Sequence, residues 1–160
     1  MKSLKLETRS EKETFKLGKK FAVILKKSPG LFKVILLKGD LGTGKTIFTK
    51  GFLSVFNYAE EEVTSPTFII LKKFETDSLN IYHLDLYRLN SSEELDAIGV
   101  YEFIEEDNAV SLIEWGEKLN YKPGKPVSAE FTWIDENTRA VTIISEPETL
   151  KKLRKVLGLE

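Results

Sequence analysis

The sequence predicts an α/β domain with a partly mixed β-sheet, and three observations carry that expectation. A nearly continuous apolar run, FKVILLK at 32–38, leads directly into a glycine-rich loop and then a helical pattern. Runs of that kind belong to strands buried on both faces. Several further β segments surround this strand–loop–helix centre, two of them reading as a hairpin. Finally, 160 residues with 41% apolar content are enough for one core, since domains usually hold roughly 100–200 residues. Residues 1–160 are therefore expected to form one domain.

Each element has its own signal. SLKLET reads as a short strand, and Ser10 with Glu13 makes an S-x-x-E capping box that starts a helix. Phe15, Gly18, Ala22 and Leu25 recur at helical spacing until Ser28-Pro29-Gly30 ends it. After the glycine loop, TIFTKGFLSVF reads as the next helix. NYAEEEVTSP, 57–66, is polar and proline-terminated, the pattern of an exposed loop. TFIILKKFET and NIYHLDLYRL are strands joined by a turn near Asp77–Asn80. In the second, His83, Asp85 and Tyr87 share one face by strand alternation. Ser91 and Glu94 form a second capping box, Gly99 can close that helix, and Tyr101–Glu106 is a further short helical piece. AVSLIEW is a strand, VSAEFTWID and RAVTIIS flank a turn at 136–138, and Pro147 opens the last helix.

Charge and composition exclude several classes. With 24 basic and 25 acidic residues the chain is near neutral, which does not suggest a nucleic-acid binder acting alone. It contains no cysteine, so disulfides, thiolate metal sites and thiol catalysis are out. MKSLKLETRSEKE lacks the apolar core of about 7–15 residues that a signal peptide carries. No apolar run approaches the roughly 20 residues a membrane-spanning helix needs. A soluble cytoplasmic protein is the expectation.

Gly39-Asp40-Leu41-Gly42-Thr43-Gly44-Lys45-Thr46 matches G-x-x-x-x-G-K-[ST] in full. Glycines let the backbone wrap phosphates closely, and the helix that follows turns its positive end toward them. Lys45 can reach the β- and γ-phosphates, and the Thr46 hydroxyl can ligate Mg²⁺. The position of the motif, after a buried-type strand and at the start of a helix, predicts a P-loop NTPase-like three-layer domain that binds a nucleotide. The cation side then needs carboxylates at the ends of neighbouring strands. Asp85, in IYHLDLYRL, and Glu114, closing SLIEW, both qualify. His83, the only histidine, reads more simply as a hydrogen-bonded strand residue than as a catalytic one. Thr64, Ser65 and Thr67 fall where a switch segment could sit, though an ordinary loop fits equally. Trp115 reads as core packing, with a nucleotide- or partner-facing ring the lesser reading. Phe131 and Trp133 read most simply as core, and the Lys-rich last helix as a solvated face.

From the residues alone, three activities compete. A GTPase would need an N-K-x-D-type element, which the chain lacks; D-A-I-G at 96–99 is a weak match. A small-molecule or nucleotide kinase suits the size and the loop, but such enzymes commonly use several arginines on the transferred phosphoryl group. Only Arg9, Arg88, Arg139 and Arg154 are present, with Arg88 the one near the predicted site. A module that binds ATP without turning it over is the third.

Four stretches taken together resemble one family. LKGDLGTGKTIFTKGFL, VTSPTFIIL, IYHLDLYRL and SLIEWGEKL, from Leu37 to Leu119, are similar to the TsaE (YjeE) family of bacterial P-loop ATPases, with SEKETFKLGKKFA upstream also in pattern. The resemblance implies a protein that binds ATP and Mg²⁺ and associates with TsaB and TsaD. In that family TsaD transfers a threonylcarbamoyl group to the adenosine beside the anticodon in tRNAs that read codons starting with A. ATP hydrolysis by TsaE supports repeated cycles of the complex, so tRNA is engaged indirectly. Carried onto this chain, Gly39 to Thr46 hold the phosphates, Thr46 and Glu114 are on the metal side, and Asp85 lies near Mg²⁺ or its waters. Thr67 falls in a switch-like loop, and Arg9 and Glu11 lie on the adenine side. Nothing carries over after Leu119. With Arg88 the only nearby arginine, slow turnover alone and completion by partners is the expectation.

Overall fold

The computed structural model describes residues 1–64, 71–120 and 123–159. Its seven strands form one sheet: β1 (Lys2–Thr8), β2 (Val34–Lys38), β3 (Leu71–Glu75), β4 (Asn80–Asp85), β5 (Ala109–Glu114), β6 (Pro126–Trp133) and β7 (Arg139–Ser145). The order across the sheet is β1-β7-β6-β2-β5-β4-β3. β6, β2, β5 and β4 are mutually parallel. β3 and β7 run against their neighbours, so the sheet is mixed, as the β-rich periphery predicts.

Among the described residues five α-helices pack on the sheet: α1 (Glu11–Lys27), α2 (Lys45–Ser54), α3 (Ser92–Ala97), α4 (Val100–Glu105) and α5 (Pro147–Leu157). One apolar cluster joins Phe21 of α1, Phe48 and Phe52 of α2 and Leu150 of α5 to Ile35, Leu112 and Ile143 of the sheet. A second, on the opposite face, joins Leu95 of α3 and Val100 and Ile104 of α4 to Val34, Leu84 and Ile113. Alternation along β2 and β5 explains the division, because successive side chains point to opposite faces.

The capping signals act where the sequence puts them. Ser10 Oγ accepts from Glu13 N at 3.1 Å, and the Glu13 carboxylate reaches back one residue further, to Arg9 N at 2.7 Å. Ser91 accepts from Glu94 N in the same way. On α5, Leu150 and Leu153 face the core while the lysines point outward, so that helix is amphipathic.

α1 and α2 touch backbone to backbone. A Cβ on Gly18 would lie 2.0 Å from the Phe48 carbonyl oxygen, and one on Gly51 1.9 Å from that of Phe15. The helix that begins at the glycine loop is thus seated on α1 at closest approach.

Two local readings change. β4 ends at Asp85, so Tyr87 lies in the following turn and is half exposed. Within the polar stretch 57–66, the described residues 57–64 hold one 3-10 turn, Glu60–Glu62, and bury Val63. Ser65 and Pro66, with 67–70 of the expected strand, lie outside the described residues. Among those described, no helix is long and apolar enough to cross a membrane.

Candidate nucleotide site

The parallel strands β2, β4 and β5 end at one edge of the sheet, where ligands bind in open α/β folds. The loop 39–44 leaves β2 there. Gly39 has φ +132°, and a Cβ would meet the Phe131 carbonyl oxygen of β6 at 2.4 Å. Gly44, at φ +112°, precedes α2 and offers no side-chain cap. The first N–H groups of α2 therefore keep the donor capacity and positive end that attract an anion. Thr43 Oγ1 donates to the Asp40 carbonyl at 2.8 Å and holds the loop closed, while Leu41 stands at its exposed tip.

Lys45 is buried, and its Nζ donates to the carbonyl oxygens of Gly39 at 2.6 Å and Asp40 at 2.7 Å. Burial pushes its pKa below the usual lysine range, while Glu114, Glu117, Asp85 and Asp40, in that order, push it back up. The indole of Trp115 lies 4.5 Å from Nζ, a cation–π distance.

Across the cleft, β4 and β5 pair so that Asp85 stands opposite Glu114. The Thr46 hydroxyl donates to Glu114 Oε1 at 2.9 Å and Oε2 at 3.1 Å. His83 Nε2 approaches Glu114 Oε1 at 2.8 Å with both side chains buried. Asp85 Oδ1 accepts from Tyr87 N at 2.9 Å. Beyond β5, Trp115 has left-handed backbone, φ +58°, a conformation that costs a non-glycine residue and clusters at functional sites. Its ring packs on Tyr87 at 5.1 Å. Lys118 donates to the carbonyls of Tyr87 and Leu89, fastening the turn after β4 to the turn after β5.

Oxygen donors of this kind suit a hard divalent cation. Among the described residues, no group of three or more His, Asp or Glu side chains is arranged to hold a metal ion by itself. Thr46, Glu114 and Asp85 are the side chains here whose oxygens could hold such a cation.

The chain from residue 8 to 142 matches the family model described as "Threonylcarbamoyl adenosine biosynthesis protein TsaE". The chain belongs to the TsaE family. It is 36% identical to the tRNA threonylcarbamoyladenosine biosynthesis protein TsaE of Rickettsia bellii (strain RML369-C), over 86% of this chain and 92% of that one. The TsaE of Bacillus subtilis (strain 168) is 40% identical over 74% of this chain and 70% of its own. The crystal structure of YdiB from Bacillus subtilis superposes with a TM-score of 0.70 at 27% identity, covering 98% of this chain and 95% of that one. The fold is thus that of a P-loop NTPase-like three-layer α/β domain, and its family is one of tRNA threonylcarbamoyladenosine biosynthesis.

Within this TsaE-family chain the structure brings together Gly39 to Thr46, Asp85 and Glu114, as the motifs imply. Thr67 lies outside the described residues. Arg9 and Glu11 are exposed at the β1–α1 junction. Their neighbours Thr8 and Thr14 are bonded hydroxyl to hydroxyl at 2.9 Å, and a Cβ on Gly44 would lie 3.2 Å from Thr14 Cγ2. The junction therefore backs onto the phosphate loop.

Two readings after the motif need correction, and a third is extended. The arginine at the loop is Arg139, from the region beyond Leu119, where the family motifs assign nothing. It is buried, its Nε donates to the Thr43 carbonyl at 3.1 Å, and its Nη1 to that of Asn137. Arg88 is exposed in the turn after β4. Trp133 is not core: it is 40% exposed and stacks under the Arg139 guanidinium at 4.4 Å. Trp115 packs against the second apolar cluster, as read, and its ring also meets Lys45 and Tyr87. A signal for Arg139 existed in principle, since it pairs with Trp133 across the hairpin, but nothing local ties that hairpin to the loop.

Proposed function

We propose that this protein is a Mg²⁺-dependent ATPase whose hydrolysis supports threonylcarbamoyladenosine modification of tRNA, acting with TsaB and TsaD. The observation that carries the proposal is the meeting of Thr46 and Glu114 at the mouth of a complete glycine–lysine loop. Lys45 already meets two carbonyl oxygens, and the β- and γ-phosphate oxygens of ATP offer it acceptors of the same kind. The first N–H groups of α2 would add donors to the same phosphates. Thr46 and Glu114 would hold Mg²⁺, with Asp85 beside it or its waters. The cation would offset the charge that the phosphates add to a site where four carboxylates already face Lys45. Thr67 is assigned to a switch-like segment, and Arg9 and Glu11 to the adenine side. Residues 1–160 act as one domain in this reading, and a role on tRNA points to the cytoplasm.

Arg139 is engaged with the loop carbonyl, the Asn137 carbonyl and the Trp133 ring, so it braces the loop rather than reaching across it. An arginine that stabilises the transferring phosphoryl group is worth about 10³–10⁵ in rate. We infer slow turnover by the isolated chain, with the partners completing or gating the site.

The deciding experiment is ATPase rate with Mg²⁺, alone and after adding TsaB and TsaD. Stimulation that disappears in Lys45→Ala, together with roughly 100-fold weaker ATP binding by that variant, supports the proposal. A rate of roughly 10 per second or more for the chain alone, unchanged by the pair, refutes the gating. Neither complex nor stimulation would return the kinase reading, with a screen for phosphoryl acceptors to follow.

A further inference from the structure

One buried titratable side chain beside the cleft has no part in phosphate or cation binding. His83 is fully buried on β4, two residues before Asp85 and on the same face of the strand. A solvent-free histidine between Tyr82 and Leu84 is a costly choice when a leucine would pack. Its Nδ1 has no hydrogen-bond partner among the described residues. Its Nε2 lies 2.8 Å from Glu114 Oε1. An ionised carboxylate only accepts hydrogen bonds, so in this pair Nε2 is the donor.

We propose that His83 is a positioning residue: its Nε2–H fixes Oε1 of Glu114, so that the carboxylate keeps one orientation toward Thr46 and the cation side of the site. This inference rests on the ATP and Mg²⁺ reading. Thr46 alone does not set that orientation, because its single hydroxyl proton is shared between Oε1 and Oε2 at nearly equal distances. The imidazole breaks the symmetry by engaging Oε1 only. It does so from β4, the strand that also presents Asp85, so one strand sets the position of both acids. Partners of this sort behind metal-side carboxylates commonly contribute 10–100-fold to metal affinity or activity.

Two measurements test it. The chain has a single histidine, so a long-range ¹H–¹⁵N NMR spectrum contains one native imidazole. The expected spectrum shows the proton on Nε2, protected from exchange, with that signal shifted or lost in Glu114→Ala. A proton on Nδ1 with Nε2 bare, or identical spectra in parent and Glu114→Ala, would overturn the inference without touching the ATPase reading.

The second is Mg²⁺ titration of fluorescent ATP-analogue binding in parent, His83→Leu and His83→Gln. Glutamine places an amide donor near the Nε2 position, and leucine places none. Expected is a Mg²⁺ midpoint raised about 10-fold or more in His83→Leu, restored to within about threefold in His83→Gln, with analogue affinity in EDTA unchanged in both. In a Glu114→Ala background, His83→Leu should add nothing, because a residue acting through another loses its effect once that other is gone. If His83→Leu does not fold, His83→Asn takes its place, its donor falling short of Nε2. A parent-like midpoint in the donor-free variant, or equal impairment in His83→Gln, overturns the role of His83 alone. A parent whose analogue affinity ignores Mg²⁺ overturns the ATPase reading and this inference together.

Discussion

Thr46 and Glu114, 68 positions apart in the chain, meet through one hydroxyl that donates to both carboxylate oxygens, at 2.9 and 3.1 Å. The bond spans the cleft between the first turn of α2 and the end of β5. It requires β2 and β5 to be adjacent and parallel, with Leu37 beside Glu114, so the strand order itself brings the hydroxyl and the carboxylate together. A carboxylate held in a nearly dry site has strong influence on whatever charge is brought beside it.

Glu114→Gln keeps the shape and removes the charge. We expect nucleotide binding in EDTA to persist while Mg²⁺-dependent turnover falls by about 10²-fold or more, the range of a positioned group acting on the reacting centre. Equal ATPase rates in variant and parent would remove Glu114 from the site.

Arg139→Met should weaken ATP binding by roughly tenfold without abolishing it, the loss of one charged hydrogen bond to the loop backbone being about 1.5 kcal/mol. Lysine at 139 should not restore affinity, because it lacks the planar group that both stacks on Trp133 and donates through Nε. Calorimetric titration with ATP distinguishes these outcomes, and parent-like affinity in Arg139→Met would show that the brace has no effect on binding.

Gly51→Ala reverses the usual sign. In an exposed helix that change gains roughly 0.5–1 kcal/mol. Here the new methyl would sit 1.9 Å from the Phe15 carbonyl oxygen, and forcing atoms into a packed contact costs typically 1–3 kcal/mol or more. The expected result is a Tm lower by roughly 4–10 °C. A rise in Tm would mean that α1 and α2 are not in backbone contact.

Tyr82 supplies a pH signature away from the cleft. Burial, then the bond from its hydroxyl to Glu106, raises the phenol from about 10 to about 12. A group with a raised folded pKa holds its proton more tightly when folded, so its contribution is fully present below about pH 10 and is lost as pH rises through about 12. Absorbance at 295 nm should show one late-titrating tyrosine that disappears in Tyr82→Phe. The same change removes the main cause holding the Glu106 carboxyl below its usual range, so Glu106 should protonate at higher pH in the variant. A spectrum without a late phase would contradict the hydroxyl–carboxylate pair.

The parts of the site that were legible in sequence are those whose chemistry is local. Gly39 to Thr46 is contiguous, and its strand-before, helix-after context is periodicity that eight or ten residues can display. Asp85 and Glu114 were legible because an acid that closes an apolar strand is costly to bury unless something there needs its charge. Arg139 was not, because its role depends on β7 lying two strands from β2 with β6 between, and strand order is not written in any window of the chain. Trp133 was misread for a related reason: alternation assigns a face, but near the end of β6 that face is partly open and an arginine covers it. The role of His83 was half legible, since burial and a hydrogen bond follow from its strand, whereas the identity of its acceptor needs the β4–β5 register.

Two rings and a cation lie in series at the edge of the cleft. Half-exposed Tyr87 rests on Trp115, and Trp115 rests on Lys45, while Lys118 rivets the two turns that carry the rings. A protein surface resting on Tyr87 would thus be two side chains from the Lys45 ammonium. Tyr87→Ala should then blunt stimulation by partners while leaving the unaided rate near that of the parent; equal stimulation would mean that the stack carries no message. Under the proposed function, a contact made at the surface would reach the lysine assigned to the phosphates through two packed rings, with no strand or helix obliged to move.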